Sequence, residues 1–304
     1  MHLLVGGDSE IGAATDRHLG LAGEAVIATT RRQDAPDRRM MFLDLALPLY
    51  RWEPPAGTVA ACIFAAVARL LDCAADPGGS AAINVERTVA LIDWLNGRGI
   101  YALFLSTNQV FDGETPAVPA QAPTSPRSEY GRQKARAEAE LLARMARGAP
   151  IGILRLARVV SPAMALLRSW AQAIAAGQPI RAFGDMVLSP IPIDLVASTI
   201  GALLHAKRGG IFQLSGPCDV TYAQVGRRLA GRLGADPALV EAIAAASSGL
   251  PEGSTPRHTT LDCSRLRAEL AIEVPGPWDA LDEVMSRLAP TLPQLAAMPQ
   301  RQES

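Results

Sequence analysis

The chain has 304 residues, 49% of them hydrophobic and 19% charged, with a formal net charge of −1. This supplies one large domain or two interlocked ones with a substantial core, and it excludes disorder. The near-neutral balance leaves no field to attract nucleic acid or acidic lipid, and Arg31-Arg32 and Arg38-Arg39 are too short for a nucleic-acid arm.

The first half alternates short apolar runs with amphipathic stretches. HLLV (2–5) reads as a buried strand and leads into VGGDSEIG, with glycines at 6, 7 and 12, and then a helix over 11–21. Such a turn lets backbone approach a pyrophosphate seated on the helix N-terminus. The spacing fits G-x-x-G-x-x-G at Gly6 and Gly12, with Ser9 in the middle position. Gly6, Ser9, Glu10, Ile11 and Gly12 are therefore the candidate cradle, a plain strand-to-helix turn being the bland reading. AVIAT (25–29) is the second strand and ends in Thr29, Thr30, Arg31 and Arg32, with no carboxylate before Asp34. Arginine in that place suits a ribose 2′-phosphate, so NADP(H) is expected over NAD(H), unless the two arginines are merely solvated.

ACIFAA (61–66) is the next strand. A helix follows over 80–96, with Ser80 as its expected N-cap and Gly97 and Gly99 as its stop. ALFLST (102–107) ends in two hydroxyls, a Pro-rich loop runs to Ser128, a helix covers 130–146, and IGILRL (151–156) is another strand. The second half reads as mostly helical (163–176, 222–234, 236–247, 278–288), with one strand-like run at 210–216 and a surface loop at 248–256. The expected class is α/β, a doubly wound parallel Rossmann sheet with a smaller, mostly helical C-terminal substrate domain. Residues 1–160 would bind NADP(H), with later returns near 187–215, and 161–304 would form the interleaved substrate domain.

Of 29 basic residues only Lys134 and Lys207 are lysine. Lys134 lies one helical turn after Tyr130, so both project from one helix face. A tyrosine is a poor proton donor or acceptor at neutral pH unless a cation steadies its phenolate, and a lysine one turn on can do this. With four tyrosines and two lysines, chance seldom produces the pair, although a solvated lysine is the bland alternative. Thr107 precedes Tyr130 by 23 residues and stands at a strand's carboxyl end, where ligands bind in such folds.

The cysteines (62, 73, 218, 263) and histidines (2, 18, 205, 258) show no metal-ligand spacing, so no metal is expected. The start of the chain lacks a secretory pattern, and the longest apolar stretch is broken by Arg69 and Asp72. A soluble, reduced, cytoplasmic protein is the expectation.

Together, GGDSEIG, STNQVFDG, YGRQK with Glu138, NVERT (84–88), SPIPIDLVAS (189–198), TPRHTTLDCSRL (255–266) and PGPWDAL resemble the extended short-chain dehydrogenase/reductases, most closely the dTDP-4-dehydrorhamnose reductase branch. The resemblance implies a Thr107–Tyr130–Lys134 catalytic set. Tyr130 would be the general acid for carbonyl reduction, or the base in reverse. Lys134 would lower its pKa and hold the nicotinamide ribose, and Thr107 would orient the substrate oxygen. It also implies Asp44 and Leu45 beside the adenine, and Ala65 and Ala66 on the nicotinamide side.

Two departures bear on substrate. Where related dehydratases carry Asp-Glu after the threonine, this chain has Asn108 and Gln109, amides that cannot exchange protons at neutral pH. Where the rhamnose-forming reductases carry a tryptophan, it has Arg158, which implies either an anionic group on the substrate or a side chain turned to solvent. Asn108, Gln109 and Arg158 are thus the candidate substrate contacts. The leading expectation is an NADP(H)-dependent reductase of a keto group on a nucleotide-linked sugar. A nucleotide-sugar epimerase and a non-catalytic NADP(H)-binding regulatory subunit are the alternatives. A homodimer through helices 80–96 and 130–146 is suggested by fold-level analogy alone.

Overall fold

The computed structural model describes residues 1–33, 40–64, 67–248 and 255–288. In chain order the elements of the first half are β1 (His2–Val5), α1 (Glu10–Leu21), β2 (Val26–Thr30), β3 (Met40–Phe42), β4 (Ala60–Ile63), α2 (Leu70–Ala75), α3 (Pro77–Ala81), α4 (Thr88–Asn96), β5 (Tyr101–Thr107), α5 (Glu129–Met145) and β6 (Ile151–Leu156). There follow β7 (Arg158–Val160), α6 (Ala165–Ala175), β8 (Ile180–Phe183), β9 (Val187–Leu188), β10 (Pro190–Pro192), α7 (Ile193–Ala206), β11 (Gly210–Leu214), β12 (Val220–Thr221), α8 (Tyr222–Arg232), β13 (Val240–Ile243), α9 (Ser264–Leu270) and α10 (Pro277–Ser286).

Seven strands form a parallel sheet in the order β11-β6-β5-β4-β1-β2-β3. Alternation along each strand feeds two cores. Leu3, Val5, Ala102, Phe104 and Ile153 pack with residues of α4 and α5 on one face. Leu4, Leu103, Leu105 and Leu154 pack with Leu19 of α1 and Val196, Ile200 and Leu203 of α7 on the other. The apolar runs thus form doubly covered strands because both of their faces are buried. The chain reverses direction across the sheet between β1 and β4, and this opens the crevice where ligands bind in such folds.

A third core is built from later elements: Leu167 and Trp170 of α6, Tyr222 and Leu229 of α8, Val240, and Leu281 and Val284 of α10. The helix expected over 236–247 is not formed. Pro237–Leu239 makes a 3₁₀ turn, and Val240–Ile243 pairs in parallel with β8. An alanine-rich stretch yields to strand pairing here because Val240 is buried against that core. The helix expected over 80–96 begins earlier and is interrupted. Asp76 is the N-cap, accepting from the Gly79 amide, while Ser80 lies within the helix and donates to the Asp76 carbonyl. Ala82–Arg87 then widen into a π-helical stretch before α4. Residues 249–254 of the expected surface loop lie outside the described residues.

Candidate functional site

The turn after β1 is close-packed. Gly6 has φ +76°, in the left-handed region. A Cβ on Gly7 would stand 2.6 Å from Ala28 Cβ, and one on Gly12 would stand 2.7 Å from Gly7 Cα. Only glycine fits at these positions, and the close packing brings bare backbone to the first turn of α1. Ser9 caps that helix, its Oγ accepting from Gly12 N at 3.1 Å. The Glu10 carboxylate accepts from Ser161 Oγ, so that side chain is engaged across the domain, while Ile11 is half-buried against the sheet.

At the end of β2, Arg31 and Arg32 are exposed. Arg32 Nη2 reaches Asp8 Oδ2 at 3.4 Å, and Thr30 Oγ1 donates to the same oxygen at 2.8 Å. The strand end itself carries no carboxylate before Asp34, yet Asp8 from the glycine turn brings one to this corner. Arg31 has no ion pair among the described residues. Asp44 follows β3 and accepts from the Ala46 amide at 2.9 Å, and Leu45 is buried. Ala65 and Ala66 lie outside the described residues.

Thr107 ends β5, and Tyr130 and Lys134 lie in the first turns of α5. Ser128 starts that helix by accepting from Gly131 N at 3.1 Å and itself donates to Gln109 Oε1 at 2.9 Å. The helix sits directly on the turn after β5, because a Cβ on Gly131 would collide with the Gln109 carbonyl. Thr107 Oγ1 accepts from Gln109 N at 3.2 Å, and its one acceptor among the described residues, Asn108 Oδ1, is distant at 3.4 Å. The hydroxyl proton is thus weakly held.

Lys134 is buried, with Nζ donating to the Leu105 carbonyl at 2.8 Å and lying 4.3 Å over the Phe104 ring and 5.9 Å from the centre of the Tyr130 ring. Burial lowers its pKa to about 8, opposed by the Glu138 carboxylate. The expected depression of Tyr130 is not what the site does by itself. Burial pushes the phenol upward, and Cys73 adds in the same direction. Tyr130 is accordingly a neutral phenol at neutral pH.

Behind the pair, Ser106 Oγ donates to Glu138, which is buried with Arg155 in an ion pair at 2.6 Å. Arg155 also donates to Gln213 Oε1 and to the Ala120 carbonyl. Gln133 of α5 accepts from Asn84 Nδ2 at 2.7 Å, and Asn84 also bonds both the amide and the carbonyl of Val67. Asn84 lies in the π-helical stretch, a deformation frequent at functional sites. Sequence reading saw NVERT as a likeness but found no role for Asn84, because its partners are remote in the chain.

Thr107 and Tyr130 line a cavity of about 360 Å³ together with Asn108, Gln109 and Arg158. Its remaining walls include Arg127, Met186, Tyr222 and His258, none of which the sequence reading singled out. Arg127 pairs with Glu114 at 2.9 Å, and His258 Nδ1 lies 3.2 Å from Asp219. Arg158 has no ion pair among the described residues, so this cavity presents an uncompensated cation. The cradle, the end of β5 and the Tyr130 helix all meet at the carboxyl edge of one sheet.

Residues 1–289 match the RmlD substrate binding domain. The chain belongs to that family. Over 216 residues it is 30% identical to a probable low-salt glycan biosynthesis reductase, Agl14, of Haloferax volcanii, with 69% of this chain and 71% of that protein covered. Among solved structures, the dTDP-4-dehydrorhamnose reductase of Clostridium acetobutylicum superposes with a TM-score of 0.79 at 19% identity, covering 95% of this chain and 100% of that one. MoeE5, solved with UDP-glucuronic acid and NAD, gives a TM-score of 0.79 at 20% identity, over 96% of this chain and 99% of that one. Both share with this RmlD-family chain the Rossmann-like architecture described above.

Proposed function

We propose that this chain is an NADP(H)-dependent reductase of a keto group on a nucleotide-linked or related activated sugar. The observation that carries this reading is the meeting of Thr107 and Tyr130 in one cavity, with the buried Lys134 ammonium directly beneath. The dinucleotide fits the chain's own residues: the bare backbone of Gly6, Gly7 and Gly12 and the N-terminus of α1 suit a pyrophosphate. Ser9, Glu10 and Ile11 would flank it, Asp44 and Leu45 would lie by the adenine, and Ala65 and Ala66 by the nicotinamide. Arg31, free of Asp8, would take a 2′-phosphate. A bound reduced nicotinamide supplies the hydride.

The protein's part is proton delivery and orientation. Tyr130, neutral at its half-buried position, is in the form that donates a proton to a carbonyl oxygen gaining charge. Thr107 donates its loosely held hydroxyl hydrogen to the same oxygen and fixes its position. Lys134 spends one of three donors on Leu105 and keeps two for ribose hydroxyls, while its charge stabilises the phenolate left behind. Asn108 and Gln109 bond the sugar without exchanging protons, which leaves water elimination without an acid and base. Arg158 takes an anionic group of the substrate. Residues 161 onward, apart from their return to the sheet, serve as the substrate domain.

The test is NADPH oxidation against a panel of 4-keto nucleotide sugars, with Tyr130→Phe alongside. Oxidation that falls about 10²–10⁴-fold in the variant while NADPH still binds is expected. Tight NADPH binding with no oxidation of any sugar would sink the reductase reading in favour of a binding subunit. Conversion of a sugar with the cofactor retained would indicate an epimerase.

A further inference from the structure

At the opposite, amino edge of the sheet three side chains converge that serve no part of the site above. His2 begins β1, Glu24 lies in the turn before β2, and His205 lies in the last turn of α7. Glu24 is gripped from both sides, with His2 Nε2 3.2 Å from Oε2 and His205 Nε2 2.6 Å from Oε1. The two imidazoles stand edge to face with centroids 5.1 Å apart, and the three ligand atoms all lie within 4.8 Å of one another.

The hydrogen bonds around the cluster settle where the lone pairs point. His205 Nδ1 lies 2.9 Å from the Gly201 carbonyl, which can only accept, so Nδ1 carries a hydrogen. In the neutral ring, Nε2 then presents a bare lone pair to a carboxylate. Two lone pairs at that separation repel, so either a proton on Nε2 bridges them or the two atoms part to share a cation. His2 is buried, and among the described residues its Nδ1 has no partner and its side chain's one hydrogen bond runs through Nε2 to Glu24.

We propose that His2 Nε2, a Glu24 carboxylate oxygen and His205 Nε2 form a binding site for one divalent ion of the zinc class. Two imidazoles and a carboxylate are the donors that Zn²⁺ prefers over Mg²⁺ or Ca²⁺. The His205–Gly201 bond is the outer contact that orients such a ligand. Tetrahedral ligands about 2.0–2.2 Å from the ion stand roughly 3.3 Å apart. His2 Nε2 stands 3.2 Å from Oε2 and His205 Nε2 2.6 Å from Oε1, so for one oxygen to serve with both imidazoles the carboxylate must turn and His205 must draw back from its close approach. His205 is half-exposed, so such a shift meets solvent on one side, and water completes the fourth position. The ion would join the start of β1, the turn ahead of β2 and the end of α7. Its effect falls on stability rather than on chemistry at the far edge.

The test uses the full chain, stripped with a chelator, titrated with Zn²⁺ by calorimetry and followed by thermal melting. One equivalent of Zn²⁺ with a Tm rise of several degrees is expected in the parent. Binding should weaken at least tenfold, and the Tm rise vanish, in both His205→Ala and Glu24→Gln, whose far-UV circular dichroism stays that of the parent. No saturable binding in the parent overturns the proposal: the positive species is then a proton on His205. Binding that persists within tenfold in either variant overturns it equally, since the ion would then sit on other ligands.

Discussion

Gly131 shows how narrowly the site is set. It is one residue beyond Tyr130, and its missing side chain lets α5 rest on the Gln109 carbonyl. Gly131→Ala must lift the helix or shift the turn, an overpacking that costs about 1–3 kcal/mol. We expect a lower denaturation midpoint and a fall in kcat exceeding that in stability, because Tyr130 and Thr107 lose their register. Lys134 gives a pH prediction. Its folded pKa of about 8 lies below the value of a free lysine, so the buried charge opposes folding below about 8 and that penalty fades as pH rises. In the proposed role of Lys134, cofactor affinity moves the other way, since ribose and phenolate would need the ammonium. NADPH affinity should therefore decline as pH rises through about 8. Lys134→Met should bind weakly with no such inflection, while its stability at pH 7 equals or exceeds that of the parent. A fluorescence titration across pH 6–10 checks both.

At the scale of elements, α5 is held at three levels: Ser128 at its start, Gln133 toward Asn84, and Glu138 toward Ser106 and Arg155. The last pair is almost wholly enclosed, at 2% and 1% exposure. Removing one partner strands a buried charge, at a cost of about 3–5 kcal/mol. Arg155→Met should thus destabilise severely by urea melt, whereas the surface pair Arg132–Glu129 should be nearly neutral on truncation. This scale also shows what could be read in advance. Long apolar strands and the 129–145 helix declare themselves by composition and period. The two- and three-residue strands β7, β9, β10 and β12 have no period to read, and β13 hides in an alanine-rich run. Tyr130 and Lys134 were legible because their relation is local. The pairing of Asp8 with Arg32 and of Gln133 with Asn84 was not, because folding alone brings those residues together.

Across the whole molecule, the cavity joins a wall fixed by the sheet to one contributed by distant segments. Thr107 and Tyr130 come from the sheet edge and Arg158 from just beyond β6, while Met186 and Tyr222 arrive with the third core and His258 from the segment ahead of α9. The uncompensated Arg158 should make affinity for an anionic sugar sensitive to salt. Arg158→Met is expected to raise KM for such a substrate at least tenfold with kcat little changed, which steady-state kinetics at two ionic strengths will show.

The last wall is fastened late. His258 N bonds the Gly113 carbonyl, Ala117 N bonds Thr260 Oγ1, and Val118 bridges Leu261. A chain leaving the ribosome from its N-terminus has β1–β6 and the glycine turn long before it has this strap. The order of synthesis thus becomes an order of assembly, with the glycine turn and the sheet edge able to form first and the Thr107–Tyr130 cavity enclosed only after the chain has come back to close it.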